Sequence, residues 1–216
     1  YKYILFNEQT GQYSEEWGDD RNLKLDSSLM DHFFCIDVWN SPASLENVFL
    51  TTPFQKVLLK EEREFQLPKP IAKPTHIFKV KAPLLSKNEV ICVVGDCAAL
   101  CNWSTKSPLL LSRTEGDWWT VTVDLSKAQN EVHYKYGVYD PEDKEFRYFE
   151  SGADHIAPVV NSKKTIVQLS DSFVRITDHS WKGAGVSLPV FSIRTKKSLG
   201  VGDFCDIKLL VDWAEK

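Results

Sequence analysis

The sequence predicts a mainly β protein whose centre is a β-sandwich. Three observations predict it. Between residues 75 and 171, apolar and polar residues alternate in six or seven short runs separated by clusters of Gly, Pro, Asp and Asn. An aromatic-Lys-aromatic strand pattern, Tyr134-Lys135-Tyr136, also opens the chain as Tyr1-Lys2-Tyr3, so part of a second copy precedes the sandwich. After residue 172 the pattern changes to an apolar run followed by helical spacing, the opening unit of an α/β domain.

The elements follow in order. Residues 1–65 hold the truncated copy: Tyr1-Lys2-Tyr3, a polar turn and then Glu16-Trp17-Gly18 parallel Tyr134-Lys135-Tyr136 and Phe149-Glu150-Ser151-Gly152. An insertion follows, in which Phe54, Val57, Leu58 and Phe65 recur at helical spacing and predict a short helix. Residues 66–74 carry Pro68, Pro70 and Pro74; proline fixes φ and removes a donor, so this is an extended linker. In the sandwich, Phe78, Val80 and Ala82 mark one strand, Trp119, Val121 and Val123 a second, and Val132, Tyr134, Tyr136 and Val138 a third. Glu89-to-Asp96 is apolar on both faces and reads as central. Phe146-to-Glu150 and Thr165-to-Leu169 supply two more. This many short strands in about 100 residues suggests an immunoglobulin-like sandwich, although the Cys…Trp…Cys pattern of antibody domains is missing. Trp118 is expected outside and its neighbour Trp119 inside, because successive strand residues alternate. From 172 to 216, Gly185-to-Ile193 reads as a buried strand, and Asp203 caps a helix bearing Ile207, Leu210, Val211 and Ala214 on one face.

Composition excludes some partners. The formal net charge of −4 argues against nucleic acid, whose phosphates require a basic face. No apolar run approaches a membrane span. Cys35, Cys92, Cys97, Cys101 and Cys205 are odd in number and fit neither a disulfide framework nor a zinc site, so free thiols in a reducing, cytoplasmic setting are expected, with no metal or cofactor. The chain begins inside a strand pattern and its one Met is Met30, so it is read as an internal piece of a longer polypeptide.

Aromatic residues carry the functional lead. Seven Trp, seven Tyr and 12 Phe make 12% of the chain. In Val93-to-Trp103 a central strand ends at Gly95 and a polar loop then presents Trp103. A sugar ring has a face rich in C–H groups that lies flat on an aromatic ring while its rim hydroxyls keep their hydrogen bonds. A nearby Lys and a carboxylate then bind those hydroxyls. Trp103 is either such a platform or a core residue closing the sandwich end. Lys135 is either a ligand group or a solvated strand residue, and strand parity leaves the burial of Phe149 undecided.

The run Val93 to Trp103 resembles the family-20 starch-binding module, with Cys101 where that family usually has Gly. The resemblance extends through Trp119-to-Val123, Tyr134-Lys135-Tyr136 and Phe149-Glu150-Ser151, covering nearly all of 75–171. It implies a glucan site at Trp103, Lys135 and Phe149, with Glu150 and Asp154 as polar candidates. Phe149 replaces the usual Trp, which weakens stacking. A second site of the family uses tyrosines near positions matching Ser86 and Ser112, which this chain lacks. Residues 1–65 resemble the back half of a second module, with Lys2 and Trp17 matching its Lys and Trp.

Two further stretches resemble the amylomaltase family, glycoside hydrolase family 77. Gly183-to-Ser192 with Gly200-to-Phe204 is similar to the first strand and loop of its TIM barrel, and Asp37-to-Pro42 to the segment between tandem starch-binding modules in some 4-α-glucanotransferases. The implied partners are α-1,4-glucans: starch, glycogen, maltose and maltooligosaccharides. The carboxylates of such a transferase lie beyond Lys216 in that family, so no catalytic residue is assigned here. Asp203 and Asp206 open a helix and read as capping charges. The alternatives are a non-catalytic glycogen- or starch-binding scaffold and an immunoglobulin-like interaction domain, the latter requiring a buried Trp103.

Overall fold

The computed structural model describes every residue except 24, 26–29, 60–70, 72, 161–163, 177–181, 183, 184 and 216. The chain divides into two units, Tyr1–Ser180 and Trp181–Lys216. In chain order the strands of the first unit are β1 (Ile4–Phe6), β2 (Tyr13–Glu15), β3 (His32–Asp37), β4 (His76–Lys81), β5 (Val90–Gly95), β6 (Leu109–Leu110), β7 (Ser112–Thr114), β8 (Trp118–Val123), β9 (Val132–Asp140), β10 (Glu145–Phe149), β11 (His155–Ala157) and β12 (Thr165–Phe173). β1 and β2 form a hairpin. One five-stranded sheet runs β6–β5–β9–β10, with β11 also on β9; the other runs β3–β12–β4–β8–β7. The first is antiparallel throughout, whereas β12 lies parallel to both β3 and β4.

The alternation in the sequence becomes the two inner faces. Phe78 and Val80 of β4 pair with Val121 and Trp119 of β8, and together they meet Ile91 and Val93 of β5 and Tyr134, Tyr136 and Val138 of β9. Each large side chain buried this way contributes about 1.5–3 kcal/mol. The Tyr134 and Tyr136 hydroxyls, stranded in that core, donate to Asp171 Oδ2 at 2.6 and 2.9 Å; a buried hydroxyl without a partner would be costly. His76, also buried, contacts the Pro158 carbonyl oxygen at 2.9 Å through Nε2, and burial lowers its pKa. Gly95 ends β5 because a Cβ there would lie 2.5 Å from the His133 carbonyl oxygen and 2.8 Å from Leu100, which plugs the core.

Trp119 lies in the core and Trp118 outside it, as alternation along β8 requires; Trp118 is half-buried, with the ammonium groups of Lys79 and Lys81 4.9 and 4.7 Å from its ring. Other expectations are corrected. The helix expected over 54–65 is a π-type turn at Phe54–Leu58; its continuation from 60 and most of the linker lie outside the described residues. In the second unit the apolar run from Gly185 forms no strand. It holds a 3-10 turn at Val190–Ser192, and Val186, Leu188 and Phe191 are exposed. A strand needs a ladder partner, and among the described residues of this unit none pairs with it. The helix α1 (Phe204–Ala214) is present, and Asp203 caps it: its carboxylate accepts from Cys205 N, while Asp206 accepts from Asp203 N, Thr195 Oγ1 and Ser198 Oγ. Both aspartates are thus used as cap and loop anchor.

Candidate functional site

The site is built on the outward face of the β6–β5–β9–β10 sheet. In β9, Tyr134 and Tyr136 point into the core, so Lys135 and Gly137 point outward. Lys135 pairs with Val94 of β5, and Gly137 pairs with both Cys92 and Phe149. A register shift between Phe146 and Tyr148 turns β10 so that Phe146 and Phe149 face the same way. Their rings lie 4.5 Å apart, and Phe146 covers Gly137 so closely that a Cβ there would sit 2.5 Å from it. Glycine on β9 therefore makes room for the ring that supports Phe149. Phe149 itself is 41% exposed.

Trp103 reaches the surface from the loop that leaves β5. Cys101, Asn102 and Trp103 have φ of 65°, 48° and 59°. Three consecutive non-glycine residues in the left-handed region cost about 1–2 kcal/mol each. Local bonds hold them: the Cys97 carbonyl accepts from Leu100 N and Asn102 N, both at 3.0 Å, and Cys101 Sγ donates to the Ser107 carbonyl oxygen at 3.3 Å. Burial pushes the Cys92 thiol up to about 12. Trp103 is 37% exposed, which removes the reading of a core tryptophan.

Lys135 is held by the turn that follows β10. Its Nζ donates to the Gly152 carbonyl oxygen at 2.6 Å and lies 3.4 Å from Asp154 Oδ1. The turn is anchored in turn by Ser151, whose N–H donates to the Arg175 carbonyl oxygen at 2.8 Å. Asp154 is exposed and beside the lysine, as expected of a polar partner. Glu150 is not: its side chain is buried, and Oε1 accepts from Tyr136 N and from His155 Nε2, each at 2.9 Å. It extends the β9–β10 ladder into the core instead of facing ligand.

The N-terminal copy makes the same internal bonds. Glu16 Oε1 accepts from Tyr3 N at 3.2 Å, as Glu150 does from Tyr136 N. The Tyr1 and Tyr3 hydroxyls donate to Asp37 Oδ2 at 2.6 and 3.1 Å, as Tyr134 and Tyr136 do to Asp171. Arg21 bonds Glu16 at 2.6 Å and pairs with Asp37 at 3.1 Å, where His155 stands between Glu150 and Asp171. This registers Glu16 on Glu150, and hence Glu15 on Phe149 and Trp17 on Ser151. The expected match of Trp17 to the aromatic is thereby corrected. Trp17 is half-buried and its backbone is tied to Asn40. Lys2 pairs at 3.5 Å with Glu15, the residue standing in Phe149's place.

Sequence reasoning missed His155 and Asp171. A signal existed: glutamate and cation are five residues apart in both copies, and cation and aspartate sixteen. Alignment on tryptophan concealed it. A cavity of about 620 Å³ lies elsewhere, lined by residues including Ser86, Asp140, Arg147 and Tyr148. It shares no lining residue with this surface. Among the described residues, no helix is long and apolar enough to cross a membrane.

Residues 75–169 match the family described as Starch binding domain. The chain is 32% identical over 228 residues to a protein named 4-alpha-glucanotransferase DPE2 from Oryza sativa subsp. japonica, covering 99% of this chain and 24% of that protein. A 4-alpha-glucanotransferase of Chlamydia pneumoniae is 46% identical over 44 residues, 18% of this chain and 8% of its own length. The chain thus spans about a quarter or less of the curated relatives it matches. Among solved structures, the family 20 CBM of a maltotetraose-forming amylase from Pseudomonas saccharophila STB07 overlaps 44% of this chain and 97% of its own at 20% identity and a TM-score of 0.37. Residues 75–169 therefore match the starch binding domain family, within a chain similar along nearly its whole length to a 4-alpha-glucanotransferase.

Proposed function

We propose that residues 75–171 hold α-1,4-linked glucan on the outward face of the β6–β5–β9–β10 sheet. Trp103 and Phe149 stack on sugar rings, and Lys135 and Asp154 bond the ring hydroxyls. One observation carries this reading. Lys135 points outward from β9, and that strand lies between β5, whose exit loop bears the exposed Trp103, and β10, which bears the exposed Phe149. An interaction domain of the immunoglobulin type has no need of such an arrangement. The affinity of one or two stacked rings is modest, because the buried area is small.

Residues 1–40 are, on this reading, the back half of a second module, a view supported by its repeated Glu, cation and Asp bonds. Its Lys2 pairs with Glu15, so a carboxylate stands there in the place Phe149 takes in the other copy. The whole protein is a 4-α-glucanotransferase acting on starch, glycogen or maltooligosaccharides, and residues from about 185 lead toward its amylomaltase-type barrel. The identity to the rice protein along 99% of the chain supports this. Modules of this kind raise the local concentration of enzyme on a polymeric acceptor. The odd cysteine count supports a reducing, cytoplasmic setting.

Retention of the 216-residue chain on amylose or glycogen is the test. Wild type is expected to bind, and Trp103→Ala to lose roughly tenfold or more in affinity, about 1.4 kcal/mol. Equal retention of the variant would refute the site.

A further inference from the structure

Within the shared set of polar bonds the two copies differ at the cation joining glutamate to aspartate, which is the half-buried Arg21 in the first and the half-buried His155 in the second. We propose that His155 is a positioning residue for glucan binding, its charge clamping Glu150 to Asp171 behind the 151–154 turn so that Lys135 and Asp154 are held in place, and its neutralisation releasing them. This rests on the glucan-binding reading above.

The geometry favours a charged ring, with a hydrogen bond to one carboxylate and an ion-pair contact with the other. His155 Nε2 lies 2.9 Å from Glu150 Oε1, and Nδ1 lies 3.6 Å from Asp171 Oδ1. Only the imidazolium offers a proton to each carboxylate; a neutral ring turns a lone pair on one of them. Asp171 already accepts from two tyrosine hydroxyls, so rotating it away would strand those buried groups. The ring cannot easily swing out either, being stacked on Tyr134 at 5.1 Å and edge-on to Tyr136 at 5.6 Å.

The charged and titratable groups facing it are Glu150 at the end of β10, Asp171 on β12, Tyr134 and Tyr136 on β9, and Arg175 beyond β12. Burial alone would lower the His155 pKa. The bond to Glu150 and the charges of Asp171 and Glu150 outweigh burial and the opposing Arg175, and the net direction is upward. The clamp is therefore complete below the ordinary imidazole range near pH 6.5 and is lost as pH rises through the raised value. His155 directly follows Asp154, and the same turn gives its Gly152 carbonyl to Lys135, so a loosened clamp reaches both polar ligand groups. Arg21 keeps its charge at every pH at which the protein is folded, so the first copy has no such dependence.

The experiment is calorimetric titration of the 216-residue chain with maltoheptaose between pH 5.5 and 9, for wild type, His155→Arg and His155→Gln. Wild type is expected to lose affinity by roughly three- to tenfold as pH rises, up to one pK unit of coupling. His155→Arg is expected to stay at the acid-limit affinity across the range, and His155→Gln at the weak alkaline value. A flat wild-type profile, or an Arg variant that titrates like wild type, overturns the inference while leaving glucan binding intact. Absence of binding at every pH overturns the glucan reading itself and this inference with it. Should a variant fail to fold, the wild-type His155 ring resonance decides: linkage requires saturating maltoheptaose to raise its pKa by the logarithm of the affinity change. An unmoved pKa overturns the proposal.

Discussion

Residues 1–37 and 134–171 share a frame and differ in what the frame presents. In both, two tyrosines reach one aspartate, a glutamate takes the backbone N–H of the second tyrosine, and a cation sits between the acids. The side chains that meet solvent diverge. Phe149 stands where the first copy has Glu15, and Lys135 leans on a carbonyl and Asp154 where Lys2 pairs with Glu15. The same polar bonds set the register in both copies, while the residue just before the glutamate, Glu15 or Phe149, differs in the chemistry it presents to solvent.

The largest effect expected from disturbing this comparison is on the shared frame. Glu150→Ala strands the buried Tyr136 N–H and removes the nearer of the two carboxylates beside the half-buried His155, leaving Asp171 at 3.6 Å. A loss of about 1–3 kcal/mol follows, read as a lower urea midpoint. Glu16→Ala is expected to act in the same direction on the first copy, since Arg21 holds the Glu16 carboxyl below its usual range even though burial would raise it. If Glu150→Ala unfolds at the wild-type midpoint, the frame is not what fixes the register.

Next comes the surface. Phe149→Trp enlarges the ring in the position where the first copy has a carboxylate, and is expected to raise maltoheptaose affinity by roughly threefold without moving the urea midpoint, an added contact worth about 0.5–1 kcal/mol. Unchanged affinity would mean the ring at 149 does not touch sugar.

Strands such as β4 were legible because one face is buried and the other is not, which writes period 2 into the sequence, and β5 because it is apolar on both faces. The period-2 pattern put Lys135 on an outward face, whereas Trp103 and Asp154, which lie in loops, were singled out through the resemblance. Phe149 could not be put on either face, because the shift between Phe146 and Tyr148 breaks the parity on which its face depends. Glu150 was misread because an acidic residue beside a ligand aromatic looks exposed; only the pairing of β10 with β9 shows it turning into the core. Trp17 was misplaced because tryptophan is conspicuous, whereas the register is carried by Glu16, Arg21 and Asp37, separated by stretches of unrelated sequence. The run from Gly185 is apolar enough for a strand, but a strand also requires a neighbour, and composition does not report one.

The smallest effect concerns the loop for which the first copy has no described counterpart. Cys101→Gly relieves a left-handed residue but gives up the thiol bond to Ser107 and adds freedom to the unfolded chain. A net gain of about 0.5 kcal/mol is expected, read as a slightly higher urea midpoint. A loss of stability would mean the thiol bond outweighs the backbone cost.

The most direct measurement of the central claim is a residue-resolved NMR titration of the 216-residue chain with maltoheptaose. Sugar on the outward face of β5, β9 and β10 moves the resonances of the Trp103 indole, Lys135, Phe149 and Asp154 together, with one dissociation constant. Shifts confined to Lys2, Trp17 or the cavity around Arg147, with Trp103 and Phe149 unmoved, would contradict it.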